Sequence, residues 1–366
     1  MAVSTSLATA TLDSTPPPEP TAADVLRSHR RVVIRRIAII GVLTVGALGA
    51  FIWSAAVGAL DLSLTEVLRG MLSPNSVDEQ TRTVLWKLRL PMSVMALLVG
   101  VALSLAGAQM QTILGNPLAE PFTLGISAAA AFGGAVTIVL GTTIFPVSQF
   151  NLAAMAWLFA MLATAIIVGA ALLRGATSET MILLGIGLVF FFQAMLALVQ
   201  YIATTEALQQ IVFWSMGSMT RATWTGNLVI ALSLAVCIPV FIGLAWRLTA
   251  LRLGDDRALA MGINVSRLRI VVLVLVSMLA ATAVAFAGII GFIGLVGPHV
   301  ARMLVGEDQK FFIPASMAAG ALTMCTAHAL SMIIVPGVAI PIGIITAFVG
   351  VPFFLVIVMT NRRALW

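Results

Sequence analysis

About ten apolar segments, most of them near 20 residues long, constrain the fold of this 366-residue chain more than any other feature. A helix of about that length crosses the hydrocarbon core of a bilayer. Hydrophobic residues make up 60% of the chain and charged residues 9%, so the apolar surface exceeds what one soluble core could bury. The sequence therefore predicts an all-α polytopic membrane protein surrounded by lipid, with spans near 37–58, 92–114, 120–141, 150–173, 180–203, 226–248, 268–289, 291–305, 312–335 and 340–360.

The arginines and lysines predict the orientation of these spans. The run from Ile270 to Val305 is too long for one crossing, and its glycines and Pro298 predict a tight reversal inside it. Ten spans place both termini on one side, together with all but five of the 20 cationic residues. Because cytoplasmic loops carry the excess of Lys and Arg, both termini are predicted to be cytosolic. The five cations on the outer side are Arg69, Arg82, Lys87, Arg89 and Arg221.

The N-terminal segment differs in composition from the rest of the chain. Residues 1–30 are rich in Ser, Thr, Ala and Pro and lack the apolar core of a cleaved signal peptide. They are predicted to form a disordered cytosolic tail, and the first span is expected to remain as a signal anchor. Residues 31–366 are predicted to form a ten-helix transmembrane domain.

A charged island from Arg247 to Arg269 interrupts the apolar pattern, with five arginines, Asp255 and Asp256 in one short stretch. Its centre, Gly254 to Gly262, predicts a short helix with an Asp cap, acidic residues in the first turn and a glycine stop. Membrane proteins expose such islands to the cytosol. A rigid helix there offers a surface that a soluble partner can hold.

Small residues recur at helical spacing within two of the spans. Such stripes allow helix backbones to approach closely in lipid, where association depends on packing. Gln109 and Gln111 follow the first stripe, and unpaired amides are costly in hydrocarbon, so they are expected to face protein or a water-filled translocation path. The stripes are Ala96, Gly100, Ser104 and Ala108 in one span and Gly125, Ala129 and Gly133 in the next.

The sequence carries no pattern of an enzyme. It has no His-Glu-x-x-His and no Cys-x-x-Cys metal motif, and its two lysines do not follow glycine as in a phosphate-binding loop. No metal, cofactor or nucleotide site is therefore expected, and Cys237 and Cys325 are interpreted as apolar packing residues. The net charge of +6 lies in loop clusters beside the spans, which is typical of membrane orientation and not of nucleic-acid binding.

A weak internal repeat favours a transporter. Ala106-Gly107 precedes Pro117 at the spacing with which Ala287-Gly288 precedes Pro298, and the two predicted helices run in opposite directions. Inverted repeats of this kind are a recurrent basis of alternating access.

Several ordered motifs resemble the FecCD-type permeases, the membrane subunits of ATP-binding cassette (ABC) importers for iron-siderophores, haem and cobalamin. The similarity covers roughly residues 40–360. The motifs are 115–121 (GNPLAEP) with 124–127 (LGIS), 288–299 (GIIGFIGLVGPH) with Arg302 and Pro314, Trp214 to Trp224, and 341–354 with its Pro-Ile-Gly and Pro-Phe-Phe elements.

The resemblance implies an inverted-repeat, type II ABC importer permease in the cytoplasmic membrane. Its partners would be a second permease subunit, two ATPase subunits and an extracytoplasmic substrate-binding protein. By matching positions, ATPase coupling is expected at Gly254, Asp255, Asp256, Ala258 and Gly262, a cytoplasmic gate at Asn116, Leu118, Thr177 and Ser178, and binding-protein docking at Arg89. A turn formed with Pro117 is an alternative, compatible role for Asn116.

Four positions depart from the family pattern. Met92, His328, Met332 and Ala339 stand where the family often has Arg, Asp, Arg and Glu. Several of those charges lie where related permeases receive acidic groups of the binding protein. Their loss leaves Arg89 as the clearest docking contact. It predicts a heterodimer whose partner subunit retains the missing charges, with a binding protein of different surface as the alternative account, and a homodimer is possible.

The sequence thus predicts a permease subunit that imports an iron chelate, with a ferric siderophore first, haem second and cobalamin third. The subunit itself is not expected to be an enzyme, because ATP hydrolysis belongs to another chain. An ATP-independent secondary transporter and a structural membrane protein are the competing classes. The acidic residues lie almost entirely in loops or at span ends, which gives ion coupling no obvious site.

Overall fold

The computed structural model describes residues 22–58, 62–146, 148–335 and 337–360, and these ranges contain fourteen α-helices and no β-strand. The helices are α1 (Ala22–Ala56), α2 (Leu64–Leu72), α3 (Glu79–Val84), α4 (Leu90–Leu114), α5 (Ile126–Leu140), α6 (Ser148–Arg174), α7 (Ser178–Ile202), α8 (Thr205–Ser215), α9 (Trp224–Leu251), α10 (Asp255–Ala260), α11 (Val265–Ala287), α12 (Ile293–Val305), α13 (Gln309–Ile333) and α14 (Ile342–Thr360).

The ten predicted spans correspond to ten of these helices. Seven are long and apolar enough to cross a membrane, namely α1, α4 with the turns before it, α6, α7, α9, α11 and α13. The other three, α5, α12 and α14, are shorter apolar helices. The prediction of an all-α, multi-pass membrane protein is confirmed.

The N-terminal boundary differs from the prediction. Residues 1–21 of the predicted tail lie outside the described residues. Residues 22–30 are the first turns of α1, so the first helix begins before the apolar segment that identified it.

The long apolar run does reverse where the sequence predicted. Helix α11 ends at Ala287 and α12 begins at Ile293, with positive φ angles of 78° at Gly288 and 68° at Phe292 on either side of the turn. Pro298 lies inside α12 and not in the reversal. The two glycines matched by spacing differ in local structure, because Gly107 lies within α4 whereas Gly288 is the C-cap of α11.

Helix α4 lies at the centre of the bundle, because its small residues let neighbouring backbones approach. The four residues of its stripe are all buried. A Cβ added at Gly100 would lie 2.5 Å from the Gly320 carbonyl oxygen of α13, and one at Gly107 would lie 1.9 Å from the Gly294 carbonyl oxygen of α12. Ser104 Oγ donates to the Ser316 carbonyl at 2.6 Å. The first predicted stripe is thus a packing surface.

The second stripe and the two cysteines also serve packing. Gly125 faces α7, near Leu188, and Gly133 faces α6, where an added Cβ would lie 2.5 Å from the Met155 carbonyl oxygen. Both cysteines are free and buried, as the sequence predicted.

Gly107→Ala is expected to lower the thermal stability of the purified protein. The new methyl group would overlap backbone atoms of α12, which cannot move aside as the end of a side chain can. Gly243→Ala in α9 is the control, because a Cβ there meets nothing within 4 Å and alanine is the better helix former. Fluorescence-detected size exclusion after heating measures both variants. Equal melting temperatures for both would contradict the close α4–α12 contact.

Candidate functional site

The charged island folds as the predicted short helix, with one difference at its start. The N-cap of α10 is Gly254, at φ 102°, and its carbonyl accepts the Ala258 N–H at 3.0 Å. The prediction of an Asp cap is therefore wrong. At the other end Gly262, at φ 78°, donates to the Leu259 carbonyl at 2.9 Å, and the next N–H returns to Ala258 at 3.1 Å. The predicted glycine stop is therefore present, in the form of a Schellman motif.

The surface of α10 is almost wholly exposed. Among its six residues only Ala258 is buried, while Asp255 and Asp256 are exposed. Large apolar side chains are exposed as well, with Leu259 56% and Met261 41% accessible. Charged groups and apolar side chains on one short, rigid helix are typical of a surface that a partner protein covers.

Asp255 pairs with Arg269, and this arginine connects α10 to the rest of the bundle. The two guanidinium nitrogens Nη1 and Nη2 donate to the two carboxylate oxygens at 2.8 and 2.9 Å. The Arg269 side chain is only 7% exposed, against 48% for Asp255. The bidentate geometry fixes the orientation of the arginine fork relative to α10.

Arg269 also donates to two carbonyl groups on other segments. Nε donates to the Ile113 carbonyl at 2.8 Å, in the last turn of α4, where helix carbonyls have no partner within the helix. Nη1 donates to the Ala176 carbonyl at 3.1 Å, in the loop before α7. One guanidinium therefore joins α10, the end of α4 and the start of α7.

The predicted gate residues occupy two of the segments that Arg269 joins. The C-cap of α4 is Gly115, at φ 61°. The next residue is Asn116, whose Oδ1 accepts the Leu118 N–H at 2.9 Å. The alternative role of Asn116 in a turn is thus confirmed. Leu118 is 38% exposed and borders a small cavity lined also by Phe292, His299 and residues of α14.

Thr177 and Ser178 begin α7 beside this turn. Thr177 is the N-cap, and its Oγ1 accepts the Thr180 N–H at 3.2 Å. Ser178 Oγ lies 3.5 Å from the same Ile113 carbonyl that Arg269 contacts. The structure therefore brings the four predicted gate residues to one end of the bundle, next to α10.

Gln109 and Gln111 are buried in helix packing. Gln109 Nε2 donates to Gln309 Oε1 at 3.0 Å, and Gln111 Nε2 donates to the Gly294 carbonyl at 3.2 Å while its Oε1 accepts from Arg302 at 2.6 Å. Both side chains are at most 1% exposed. They face protein, the first of the two predicted alternatives, so assigning them to a translocation path does not fit this structure.

A second charged cluster lies at the same end of the bundle. Glu307, between α12 and α13, pairs with Arg252 at the end of α9 and lies 3.0 Å from Arg302 Nε. Asp308 lies 3.6 Å from Arg36 of α1. These ion pairs join four helices close to α10.

Arg89 does not lie on the surface, which corrects the docking prediction. It is 4% exposed and donates to the carbonyl of Ala56, at 3.0 Å, and to that of Val57, at the end of α1. The sequence could place it at a span end but could not reveal the helix terminus beside it. Met92 and His328, two of the departures from the family pattern, are buried too.

An apolar cavity of about 640 Å³ lies between the α11–α12 reversal, the end of α8 and α14. Among the described residues that line it, Ser215 is the only one with a polar side chain. Phe292 lines both this cavity and the small cavity beside Leu118. The lining residues are Phe122, Ser215, Met216, Ile289, Gly291, Phe292, Gly343, Ile344, Ala347, Phe348, Val351 and Pro352.

The sequence of this helical bundle matches a known family over most of its length. The model of the FecCD transport family matches residues 46–360. This chain belongs to the FecCD transport family. It is therefore the multi-pass membrane subunit of an ABC importer in the cytoplasmic membrane, and it is not itself an enzyme.

Relatives of this FecCD permease carry different substrate names. The molybdate import system permease protein MolB of Haemophilus influenzae is 33% identical over 85% of this chain and 92% of its own. The iron(3+)-hydroxamate import system permease protein FhuB of Bacillus subtilis is 32% identical over 94% of this chain and 88% of its own. A solved ABC transporter described as of the metal-chelate type, in an inward-facing conformation, superposes with a TM-score of 0.78 at 32% identity, covering 88% of this chain and 99% of that chain.

Sequence reasoning missed Arg269, Arg302 and Gln309 as connecting residues of this FecCD permease. Each lies at or near the end of an apolar helix, where a charged or amide side chain is interpreted only as the boundary of the membrane span. Gln309 Nε2 donates to Thr112 Oγ1 at 3.0 Å, across 197 residues of sequence. No local pattern predicts contacts of that separation.

Proposed function

We propose that this permease moves an iron chelate, foremost a ferric siderophore, across the cytoplasmic membrane while separate subunits hydrolyse ATP. The observation that supports this substrate class is the apolar cavity beside the α11–α12 reversal. A large, partly apolar chelate can occupy a space of about 640 Å³ lined by aromatic and aliphatic side chains. FhuB, named for iron(3+)-hydroxamate, supports the same class.

A bare oxyanion such as molybdate fits this cavity poorly. An ion of that kind needs hydrogen-bond donors or cations to replace its hydration, whereas Ser215 is the only polar side chain that the described part of the chain contributes to the cavity lining. Haem and cobalamin are large and partly apolar, so a permease for either is the alternative within the family. An ATP-independent secondary transporter is the alternative outside it.

We further propose that α10 is the ATPase-coupling helix. Gly254 and Gly262 fix its two ends, and the buried Ala258 packs it against the bundle. Asp255 and Asp256 lie on its exposed surface. Movement of α10 would reach the gate, formed by Asn116 and Leu118 on one segment and Thr177 and Ser178 on the other. The contacts of Arg269 with Asp255, Ile113 and Ala176 support this path.

Two further partners are proposed, a second permease subunit and an extracytoplasmic binding protein. The heterodimer was predicted because Met92 and Met332 lack the charges of the family pattern, and the burial of Arg89 leaves this chain with one docking cation fewer. Purification of the importer with and without a second permease gene distinguishes a heterodimer from a homodimer.

Uptake measurements test the substrate. Proteoliposomes containing the permease, its ATPase and its binding protein are expected to import a ferric hydroxamate only when ATP is enclosed with the ATPase. Radiolabelled molybdate, haem and cobalamin are each supplied in a separate assay as alternative substrates. Import of molybdate but not of any chelate would refute the chelate proposal, and import without ATP would favour the secondary transporter.

A further inference from the structure

A second cavity, of about 430 Å³, lies at the end of the bundle opposite α10. Thr223, which caps the start of α9, and Ala285 and Phe286 near the end of α11 line it, whereas α10 joins the other ends of these two helices. In the predicted orientation this end faces outward. Helix α8 separates this cavity from the apolar one, because Phe213 borders the first and Ser215 and Met216 border the second.

Arg221 lines this outer cavity together with Glu206, and the described residues show no ion pair between them. Its Nη2 lies 3.4 Å from the Trp214 carbonyl oxygen, and its buried Nε has no hydrogen-bond partner in the described part of the chain. No carboxylate of the described residues forms an ion pair with it. Burial alone lowers the pKa of this guanidinium below its ordinary value. A half-buried arginine in this setting is stabilised by an anion that it can bind through its fork.

Four aromatic side chains form part of the cavity wall. Phe150 and Phe286 meet edge to face, with ring centroids 6.4 Å apart, and Phe213 and Trp214 are contributed by α8. Gln209 and Gln210 add amide groups, and Glu206 lies exposed in the first turn of α8. Aromatic side chains favour a planar aromatic ligand through offset or edge-to-face contact.

We propose that this outer cavity binds a small aromatic oxyanion, with Arg221 holding the carboxylate or phenolate and the phenylalanines holding the ring. The amides of Gln209 and Gln210 can bind further ring hydroxyl groups. Since α8 separates the two cavities, a ligand here contacts the helix that borders the proposed substrate cavity. The site goes beyond the proposed import function, because its binding needs neither ATPase nor chelate uptake.

The test uses 4-fluorobenzoate with the purified permease in phosphatidylcholine nanodiscs. We expect its ¹⁹F resonance to broaden beyond the effect of empty nanodiscs. Arg221→Gln is expected to weaken binding about tenfold, as loss of a charge-assisted hydrogen bond does, and Arg221→Lys to weaken it less. Arg82→Gln, which removes another outer-side cation, is the matched control and should leave the affinity unchanged. The neutral 4-fluorobenzyl alcohol should bind far more weakly.

Three results would overturn the proposal. They are broadening no greater than in empty nanodiscs, equal binding by wild type and Arg221→Gln, and equal binding of the neutral alcohol, which would indicate an apolar pocket only. A monodisperse elution profile for Arg221→Gln shows that weaker binding does not arise from unfolding. Failure of iron uptake together with normal benzoate binding would refute the import function and leave this site intact.

Discussion

Arg269→Met is expected to reduce substrate uptake at least tenfold while the protein still inserts into the membrane. The change removes the Arg269 donors to the Ile113 and Ala176 carbonyls. The Ile113 carbonyl keeps the 3.5 Å contact with Ser178 Oγ, whereas a buried acceptor left without a partner costs about 1–3 kcal/mol. It also releases Asp255, although that pair is half exposed and contributes only about 0–1 kcal/mol by itself. The end of α4 and the start of α7 would then lose their connection to α10.

The measurements for this variant separate coupling from folding. Uptake into proteoliposomes and ATP hydrolysis are measured together, and we expect hydrolysis to continue with little transport. Arg267→Met is the matched control, because this arginine lies on the same helix and is exposed. Arg269→Lys keeps the charge without the planar fork and should give an intermediate loss. Wild-type transport by Arg269→Met would disprove the connecting role.

Leu259→Asp is expected to abolish co-purification of the ATPase. Leu259 is 56% exposed on α10, so the substitution leaves the core intact while it places a charge on the apolar part of the proposed contact surface. A desolvated charge without a partner opposes docking strongly. Deletion of Asp255 to Met261 should have the same effect together with complete loss of uptake. Both variants should still insert, because α10 lies outside the membrane-spanning helices.

The control for the docking variant is Leu68→Asp in α2, a leucine 41% exposed on a short helix away from α10. ATPase recovery from an affinity-tagged permease measures both variants. Normal recovery with Leu259→Asp would mean that α10 is not the coupling helix. Equal loss with Leu68→Asp would mean that the effect is not local to α10.

The sequence predicted those features that depend on neighbouring residues. Ten apolar segments followed from their length and hydropathy, because lipid demands a helix wherever about 20 apolar residues occur together. The short helix α10 followed from its charges and its glycines. The stripe from Ala96 to Ala108 predicted close packing of α4, since small residues at helical spacing have few other uses in lipid.

The tertiary structure decided which polar side chains meet. Arg89 lies at a span end, as predicted, but its side chain is buried because it donates hydrogen bonds to the carbonyls of Ala56 and Val57. Gln109 forms a hydrogen bond with Gln309, 200 residues away in sequence, and Arg269 forms one with the Ile113 carbonyl, 156 residues away. A residue's type and neighbours reveal that a buried polar group needs a partner, because an unpaired one is costly in lipid. The identity of that partner depends on how distant helices pack, and only the folded bundle specifies it.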